Sequence, residues 1–156
     1  MGKILVTYFS ATGATKRLAE KIAKLVDADI FEIEPVVKYS TADLDWTDSN
    51  SRSSLEMKSK SFRPPTLKKL DNVDDYSSVV IGFPVWWYAA PTIINTFIEE
   101  NNLQGKKVYV VVTSGATGVE GSLKKLRKEY PNINFIGGKR FNGGFMKDDV
   151  VNWISA

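Results

Sequence analysis

The stretch Tyr8-Phe9-Ser10-Ala11-Thr12-Gly13-Ala14-Thr15-Lys16 decides the fold of this chain. It continues the apolar run 4–9 and directly precedes residues 14–26, whose apolar side chains recur on one face of a helix. The pattern predicts a strand, then a short loop, then a helix. In this arrangement, unpaired backbone N–H groups and the positive end of the helix dipole point to the same place. The stretch therefore predicts an anion site, and a phosphate is its natural ligand.

The composition of this loop indicates which phosphate it suits. Walker loops of the G-x-x-x-x-G-K-[ST] type and dinucleotide loops of the G-x-G-x-x-G type need glycines that are missing here, although Glu32 and Glu34 lie at about the spacing of a ribose-binding acid. Three hydroxyls and a single glycine favour a phosphate monoester, whose three oxygens all accept hydrogen bonds. A helix capped by Ser or Thr that binds nothing is the alternative.

Two absences from the composition limit the chemistry. The 156 residues include no Cys and no His, which removes disulfides, thiolate nucleophiles, the usual general base and thiol- or imidazole-based metal sites. We therefore predict no catalytic side chain and no metal site, and expect a bound cofactor to supply the chemistry. The net charge of +3 is too small and too dispersed for a nucleic-acid partner.

The chain shows no pattern that would direct it to a membrane. The first apolar run is too short for a signal peptide, and no apolar run reaches membrane-spanning length. We therefore expect a soluble, cytoplasmic protein without a membrane partner.

Apolar segments alternate with helical patterns along the chain. Strands are predicted near 3–9, 29–34, 78–83, 107–113 and 132–136, and helices near 14–26, 91–101, 119–129 and 147–155. This alternation predicts an α/β fold with a parallel sheet between helices. Because the second and fifth strands contain alternating polar residues, they suit the edges, and we expect a doubly wound five-stranded sheet of order 2-1-3-4-5 with helices on both faces.

Two further loops lie where such a sheet reverses its strand order. The third strand leads into Pro84-Val85-Trp86-Trp87-Tyr88, whose three aromatic rings cannot all point inward. The fourth leads into Thr113-Ser114-Gly115-Ala116-Thr117-Gly118, whose small side chains let backbone N–H groups approach a ligand. We expect the rings to stack on a planar ligand; packing within the protein, and an ordinary turn for the second loop, are the alternatives.

Residues 36–66 form a long, polar, serine-rich segment that contains Trp46. A loop of this length in a compact domain is usually functional or mobile. We expect one domain over 1–156 with this segment as an insertion, and a short helix near 53–60 within it.

The Ser10–Thr15 loop resembles the T/S-x-T-G-x-T phosphate loop of flavodoxins, which holds the phosphate of FMN. Together with 83–91, 113–118 and 43–54 it extends the resemblance to nearly all of the chain. The resemblance implies a flavodoxin-like fold with FMN as the cofactor. The residues implied for binding are Ser10, Thr12, Gly13, Ala14 and Thr15 at the phosphate, Pro84, Val85, Trp86, Trp87 and Tyr88 along the isoalloxazine and ribityl chain, and Thr113, Ser114, Gly115 and Gly118 at the pyrimidine edge.

The chain departs from the flavodoxin pattern in two ways. Flavodoxins usually carry an aromatic residue in the third loop, which 113–118 lacks and which Trp46 could replace, and they are commonly acidic, whereas this chain is net basic. The resemblance implies an electron carrier whose partners are a reductase and an electron acceptor. An FMN-dependent NAD(P)H:quinone-type oxidoreductase with a small planar substrate is the alternative, since 83–87 also looks like that family's loop. A third possible function is that of a non-enzymatic binding domain that has kept the fold and lost the cofactor.

Overall fold

A computed structural model of the chain describes residues 3–114, 117–141 and 147–155. Its parallel strands are β1 Lys3–Tyr8, β2 Asp29–Glu32, β3 Tyr76–Pro84, β4 Lys107–Thr113 and β5 Asn134–Arg140, and their order across the sheet is β2-β1-β3-β4-β5. The α-helices are α1 Ala14–Val26, α2 Arg52–Lys58, α3 Thr92–Glu100, α4 Glu120–Glu129 and α5 Lys147–Ser155. The predicted α/β fold and strand order are confirmed. Within the described ranges, no helix has the length and apolarity needed to cross a membrane.

The central strands are apolar because helices cover both faces of the sheet. All five residues of Val108–Val112 are inaccessible to solvent, and their side chains alternate between the two faces. On one face they join a core with Ile93 and Phe97 of α3, and on the other a core with Ile22 of α1 and Ile154 of α5. Burial on both faces explains why these strands read as continuous apolar runs.

The two edge strands are β2 and β5, as predicted from their alternating polar residues. Ile30 of β2 is 44% exposed. β5 continues to Arg140, which pairs with Val112, so the predicted end of this strand at residue 136 was too early. Gly138, in the part of β5 beyond the predicted end, allows a close approach, since a Cβ there would lie 2.6 Å from a methyl carbon of Val119.

The loops at the carboxyl ends of the three central strands lie side by side. The Phe9 N–H donates to the Gly82 carbonyl oxygen at 3.0 Å, and the Val85 N–H donates to the Thr113 carbonyl oxygen at 3.1 Å. These bonds continue the sheet just past the ends of β1 and β3. The arrangement brings the three predicted loops to one end of the sheet, at its change of strand order.

The long segment 36–66 is folded onto this end of the sheet. It contains a short 3-10 helix at Ala42–Leu44 and the helix α2, which confirms the helix predicted near 53–60. An antiparallel bridge between Pro35 and Thr66 and a 2.7 Å bond from the Leu67 N–H to the Glu34 carbonyl oxygen join its two ends.

Candidate functional site

The turn after β1 has the geometry expected of an anion-binding loop. Gly13 adopts a φ of 99°, a left-handed conformation that glycine reaches without steric cost. Its N–H donates to the Ser10 hydroxyl oxygen at 3.0 Å, and its carbonyl oxygen accepts the Arg17 N–H at 3.1 Å. The turn therefore closes on itself, and α1 begins immediately after Gly13.

The first turn of α1 leaves backbone donors unpaired. In the part of the chain that the structure describes, the N–H groups of Ala14, Thr15 and Lys16 have no hydrogen-bond acceptor. Among the residues that the structure describes, no side chain caps this end of the helix, and the first turn contains no acidic residue. Because the helix dipole adds positive potential here, the arrangement favours an anion with several acceptor oxygens.

The side chain of Thr15 links the first and third loops. Thr15 is 2% exposed, and its hydroxyl oxygen lies 2.8 Å from the hydroxyl oxygen of Thr113 at the end of β4. Thr15 also packs against β3, the sheet neighbour of β4, since a Cβ on Gly82 would lie 3.4 Å from the methyl carbon of Thr15. If Thr113 donates in this bond, Thr15 keeps its own hydrogen for a ligand.

The aromatic turn 86–89 holds two bulky residues in an uncommon conformation. Trp86 and Ala89 exchange backbone hydrogen bonds of 2.9 and 3.0 Å, and between them Trp87 and Tyr88 have φ angles of 49° and 62°. Such conformations cost about 1–3 kcal/mol each and cluster at functional sites. α4 packs closely against the turn, since a Cβ on Gly121 would lie 2.9 Å from the Tyr88 carbonyl oxygen. The turn leaves 44% of Trp87 and 73% of Tyr88 exposed.

Trp86 packs inside the protein, unlike its two neighbours. Its ring centroid lies 5.7 Å from that of Phe9 and 5.4 Å from that of Tyr39, both in edge-to-face geometry. The Phe9 and Tyr39 centroids are 5.5 Å apart. These three residues form an aromatic triangle that joins the first loop, the long segment and the aromatic turn. For Trp86, packing within the protein is therefore observed, whereas Trp87 and Tyr88 remain available to a ligand.

A cavity of about 630 Å³ lies between the aromatic turn, the third loop and the long segment. Its size is typical of cofactor and small-molecule sites. Five residues of the predicted set line it, namely Val85, Trp86, Trp87, Tyr88 and Ser114. The remaining lining residues are Leu44, Trp46, Ser53 and Thr117. The structure thus brings the second and third predicted loops to one cavity, and the long segment forms its other wall.

A smaller cavity of about 240 Å³ adjoins the turn after β1. Ser10 and Gly13 of the predicted set line it, together with the basic Lys16 and the acidic Glu32 and Glu34. Its other lining residues are Phe9, Ala11, Pro35, Lys38 and Tyr39. Despite these carboxylates, no group of three or more acidic side chains in the described ranges is placed to hold a metal ion.

Several predicted residues do not line either cavity, although each lies within two positions of a lining residue in the chain. They are Thr12, Ala14, Thr15, Pro84, Thr113 and Gly118. Pro84 and Thr113 are register partners at the ends of β3 and β4, where the two loops begin. Gly115, also predicted, lies outside the described residues.

Three side chains tie α2 to the beginning of the long segment, and we call them the clasp: Tyr39, Arg52 and Glu56. The Tyr39 hydroxyl donates to Glu56 Oε1 at 2.5 Å, and Arg52 Nε donates to Glu56 Oε2 at 3.0 Å. The Arg52 guanidinium carbon lies 3.7 Å from the centre of the Tyr39 ring, a cation–π contact. Burial, and then the hydrogen bond to Glu56, raise the pKa of Tyr39 above its usual range. The clasp holds a neutral tyrosine against Trp86.

Two adjacent buried serines at the start of α2 differ in their hydrogen bonds. The Ser54 hydroxyl donates to the Asp48 carbonyl oxygen at 2.8 Å and lies 2.9 Å from the Ser51 hydroxyl oxygen. The Ser53 hydroxyl has no partner among the described residues, although the residue is only 2% exposed and borders the larger cavity.

Sequence reasoning missed Leu44 and Ser53 as lining residues. Both lie in the polar segment 36–66, where only Trp46 had drawn attention as a residue that could reach a ligand. The length of the segment was the available signal, because long loops in compact domains are usually functional. Nothing in the local pattern separates Ser53 from the other serines around it.

Comparisons with known proteins agree with this geometry. The sequence profile of the flavodoxin family matches residues 3–156. A crystal structure of a protein from Bacteroides eggerthii, provisionally named a flavoprotein, is 42% identical, with a TM-score of 0.96 over 100% of this chain and 99% of that one. A second protein with the same provisional name, from Bacteroides uniformis, is 46% identical, with a TM-score of 0.93 over 99% of each chain.

A more distant structure shares the fold. It is a flavoprotein from Lactobacillus acidophilus in complex with FMN, 23% identical to this chain, with a TM-score of 0.75 over 100% of both chains. Among curated proteins, none gives a significant match.

Proposed function

Because this chain belongs to the flavodoxin family, we propose that it binds FMN non-covalently and transfers electrons. The observation that carries the proposal is the row of unpaired N–H groups at Ala14, Thr15 and Lys16, which suits the phosphate of FMN. The complex of the Lactobacillus acidophilus flavoprotein with FMN supports the same cofactor.

The described residues fit both ends of FMN. The turn after β1 offers the phosphate three N–H groups, with the exposed Thr12 hydroxyl next to them in the chain. The 630 Å³ cavity offers the isoalloxazine ring two partly exposed indoles, Trp46 and Trp87, and the small side chain of Ser114 at its edge. Hydroxyl and N–H donors at one end and aromatic surface at the other match a phosphorylated planar cofactor.

Bound FMN would supply the redox chemistry, and the chain's residues bind, orient and shield it. The amides of α1 fix the phosphate without a counter-ion in the loop itself. Trp86, held in the aromatic triangle, gives the cavity a rigid wall. Trp87 and Tyr88 remain exposed, so the cavity borders a surface that an electron donor or acceptor can reach. With no His or Cys in the chain, we assign no side chain to proton transfer or covalent chemistry.

A second candidate is an FMN-dependent NAD(P)H:quinone-type oxidoreductase. The observation that favours it is the character of the third loop, where Ser114 and Thr117 line the cavity with small side chains. A cavity with an uncovered side would admit a flat substrate beside the cofactor.

Flavin binding is tested by titrating the purified, flavin-free protein with FMN and with riboflavin, which lacks the phosphate. We expect FMN to bind at least about a hundredfold more tightly, because several charge-assisted hydrogen bonds are lost in riboflavin. Equal affinities for the two flavins would contradict the assignment of the turn after β1 to the phosphate.

The carrier and oxidoreductase functions are distinguished by rapid mixing of the FMN-loaded protein with NADH or NADPH and a quinone. A carrier is reduced only when a partner reductase is added. Direct bleaching of the flavin by the nicotinamide, followed by turnover of the quinone, would establish the oxidoreductase instead.

A further inference from the structure

A second recess, of about 290 Å³, adjoins the cavity assigned to the flavin ring. Trp46 and Trp87 line both spaces, so the two indoles stand between them. The other lining residues of the recess are Thr47, Ser49, Ser54, Met57 and Lys58. The placement of FMN proposed above uses the turn after β1 and the larger cavity, and leaves this recess to another ligand.

The walls of the recess suit a flat aromatic molecule. Trp46 is 73% exposed and Trp87 is 44% exposed, and such exposed aromatic surface at a concave site indicates a binding function. The half-buried thioether of Met57 adds a polarisable contact of the kind that favours aromatic rings. The volume lies at the lower end of the range for ligand sites, so it matches one or two fused rings.

Lys58 gives the recess a positive charge. Its ammonium group donates to the Ser49 carbonyl oxygen at 2.9 Å, which uses one of its three N–H donors. Across the described ranges, no carboxylate lies within ion-pair distance of this group. The Ser54 hydroxyl is already engaged by Asp48 and Ser51, so Lys58 is the group best able to select a ligand by charge.

We propose that this recess binds a small planar aromatic anion, with its ring against Trp46 and Trp87 and its negative group on Lys58. A concave space of this size with one cation favours a small molecule over the flat surface of a protein partner. The proposal concerns a second ligand and does not require that FMN fill the larger cavity.

The test uses 2-naphthoate as the probe and 2-naphthamide as its uncharged counterpart, with binding measured by calorimetry and tryptophan fluorescence. We expect one naphthoate per chain, bound about tenfold or more tightly than the amide, because a hydrogen bond to a charged group is lost in the amide. Lys58→Met should lower naphthoate affinity to that of the amide, whereas Lys60→Met, at an exposed lysine two residues later, should not change it. Trp46→Ala should weaken both probes.

The measurements are made on the flavin-free and on the FMN-loaded protein, with circular dichroism to confirm that each variant is folded. Binding that persists after FMN loading and depends on Lys58 supports the proposal, whether or not FMN binds as proposed above. Binding that disappears when FMN is added places the probe in the larger cavity and overturns the proposal. Equal affinities for naphthoate and naphthamide, or no binding of either, also overturn it.

Discussion

The Thr15 and Thr113 hydroxyl oxygens lie 2.8 Å apart, although 98 positions separate the two residues in the chain. This bond joins the first turn of α1 to the end of β4, and therefore joins the proposed phosphate site to the third loop. Thr15 therefore has two separate roles. Its hydroxyl bonds to Thr113 and supports the fold, and its unpaired backbone N–H belongs to the proposed anion site.

Replacing Thr15 by valine tests the structural role of this bond. Thr15→Val keeps the shape of the side chain but removes the hydroxyl, and we expect the free energy of unfolding of the flavin-free protein to fall by about 1 kcal/mol. Urea denaturation measures the change. Thr12→Ala serves as the control, since Thr12 is exposed and should tolerate the change. Equal stability losses in both variants would argue against a specific contribution from the Thr15–Thr113 bond.

Thr12→Ala should act on the cofactor instead. If the Thr12 hydroxyl donates to the FMN phosphate, its loss should weaken FMN binding by about 1–3 kcal/mol. Riboflavin affinity should not change, because riboflavin carries no phosphate. The two dissociation constants are obtained by flavin fluorescence titration, and a parallel loss for both flavins would mean that Thr12 acts through the fold.

Gly121→Ala tests the support of the aromatic turn. Alanine usually stabilises a helix relative to glycine by about 1 kcal/mol. Here we expect the opposite sign, because the added Cβ would lie 2.9 Å from the Tyr88 carbonyl oxygen and must displace α4 or the turn. Thermal unfolding measures the sign, and Lys124→Ala at an exposed position of the same helix is the control. A more stable Gly121→Ala protein would contradict the close contact.

The neighbours Ser53 and Ser54 offer a matched pair. Ser54→Ala removes a hydroxyl with two hydrogen-bonding neighbours and should lower the free energy of unfolding of the flavin-free protein by about 1 kcal/mol. Ser53→Ala removes a buried hydroxyl without a partner among the described residues, so stability should stay the same or rise. Chemical denaturation measures the free energy of unfolding of both variants. A clear loss of stability in Ser53→Ala would reveal a hydrogen bond at that position.

Alkaline pH should destabilise the protein partly through Tyr8. Burial, followed by the negative charge of Glu32, raises the pKa of Tyr8 from 10.0 to about 12. Between these values the unfolded chain has lost the proton that the folded state retains, so the stabilisation is complete below about pH 10 and is lost as the pH rises toward 12. We expect urea denaturation to show a steeper loss of stability over this range in the wild type than in Tyr8→Phe. Identical slopes would rule out a contribution from Tyr8.

Local sequence patterns predict the elements that depend on local chemistry. The loop Ser10–Thr15 followed by a helical pattern predicts the turn and the start of α1, and the apolar run at 108–112 predicts a central strand. The polar alternation of the second and fifth strands then predicts the strand order. The turn and the central strand are each determined within one segment of the chain, and the strand order follows from comparing the burial patterns of separate segments.

Contacts between distant segments could not be predicted in this way. The pairing of Thr15 with Thr113, the packing of Tyr39 against Trp86 and the burial of Ser53 all depend on how separate segments meet. The fifth strand runs past its predicted end at residue 136, and the close approach of Val119 to Gly138 in that part of the strand is also a tertiary effect. Sequence reasoning therefore pointed to the loops of the candidate site and to Trp46 of 36–66, but not to Leu44 and Ser53, which line the same cavity.

The aromatic triangle makes the segment 36–66 part of the packed structure at this end of the sheet. Phe9 is 1% exposed, and Tyr39, which belongs to this segment, packs against its ring in edge-to-face geometry. A shortened chain without the segment would expose the apolar residue Phe9 next to β1, and exposed apolar surface of this kind favours self-association. A shortened version of this protein should therefore keep Tyr39 and α2, which holds it through Arg52 and Glu56.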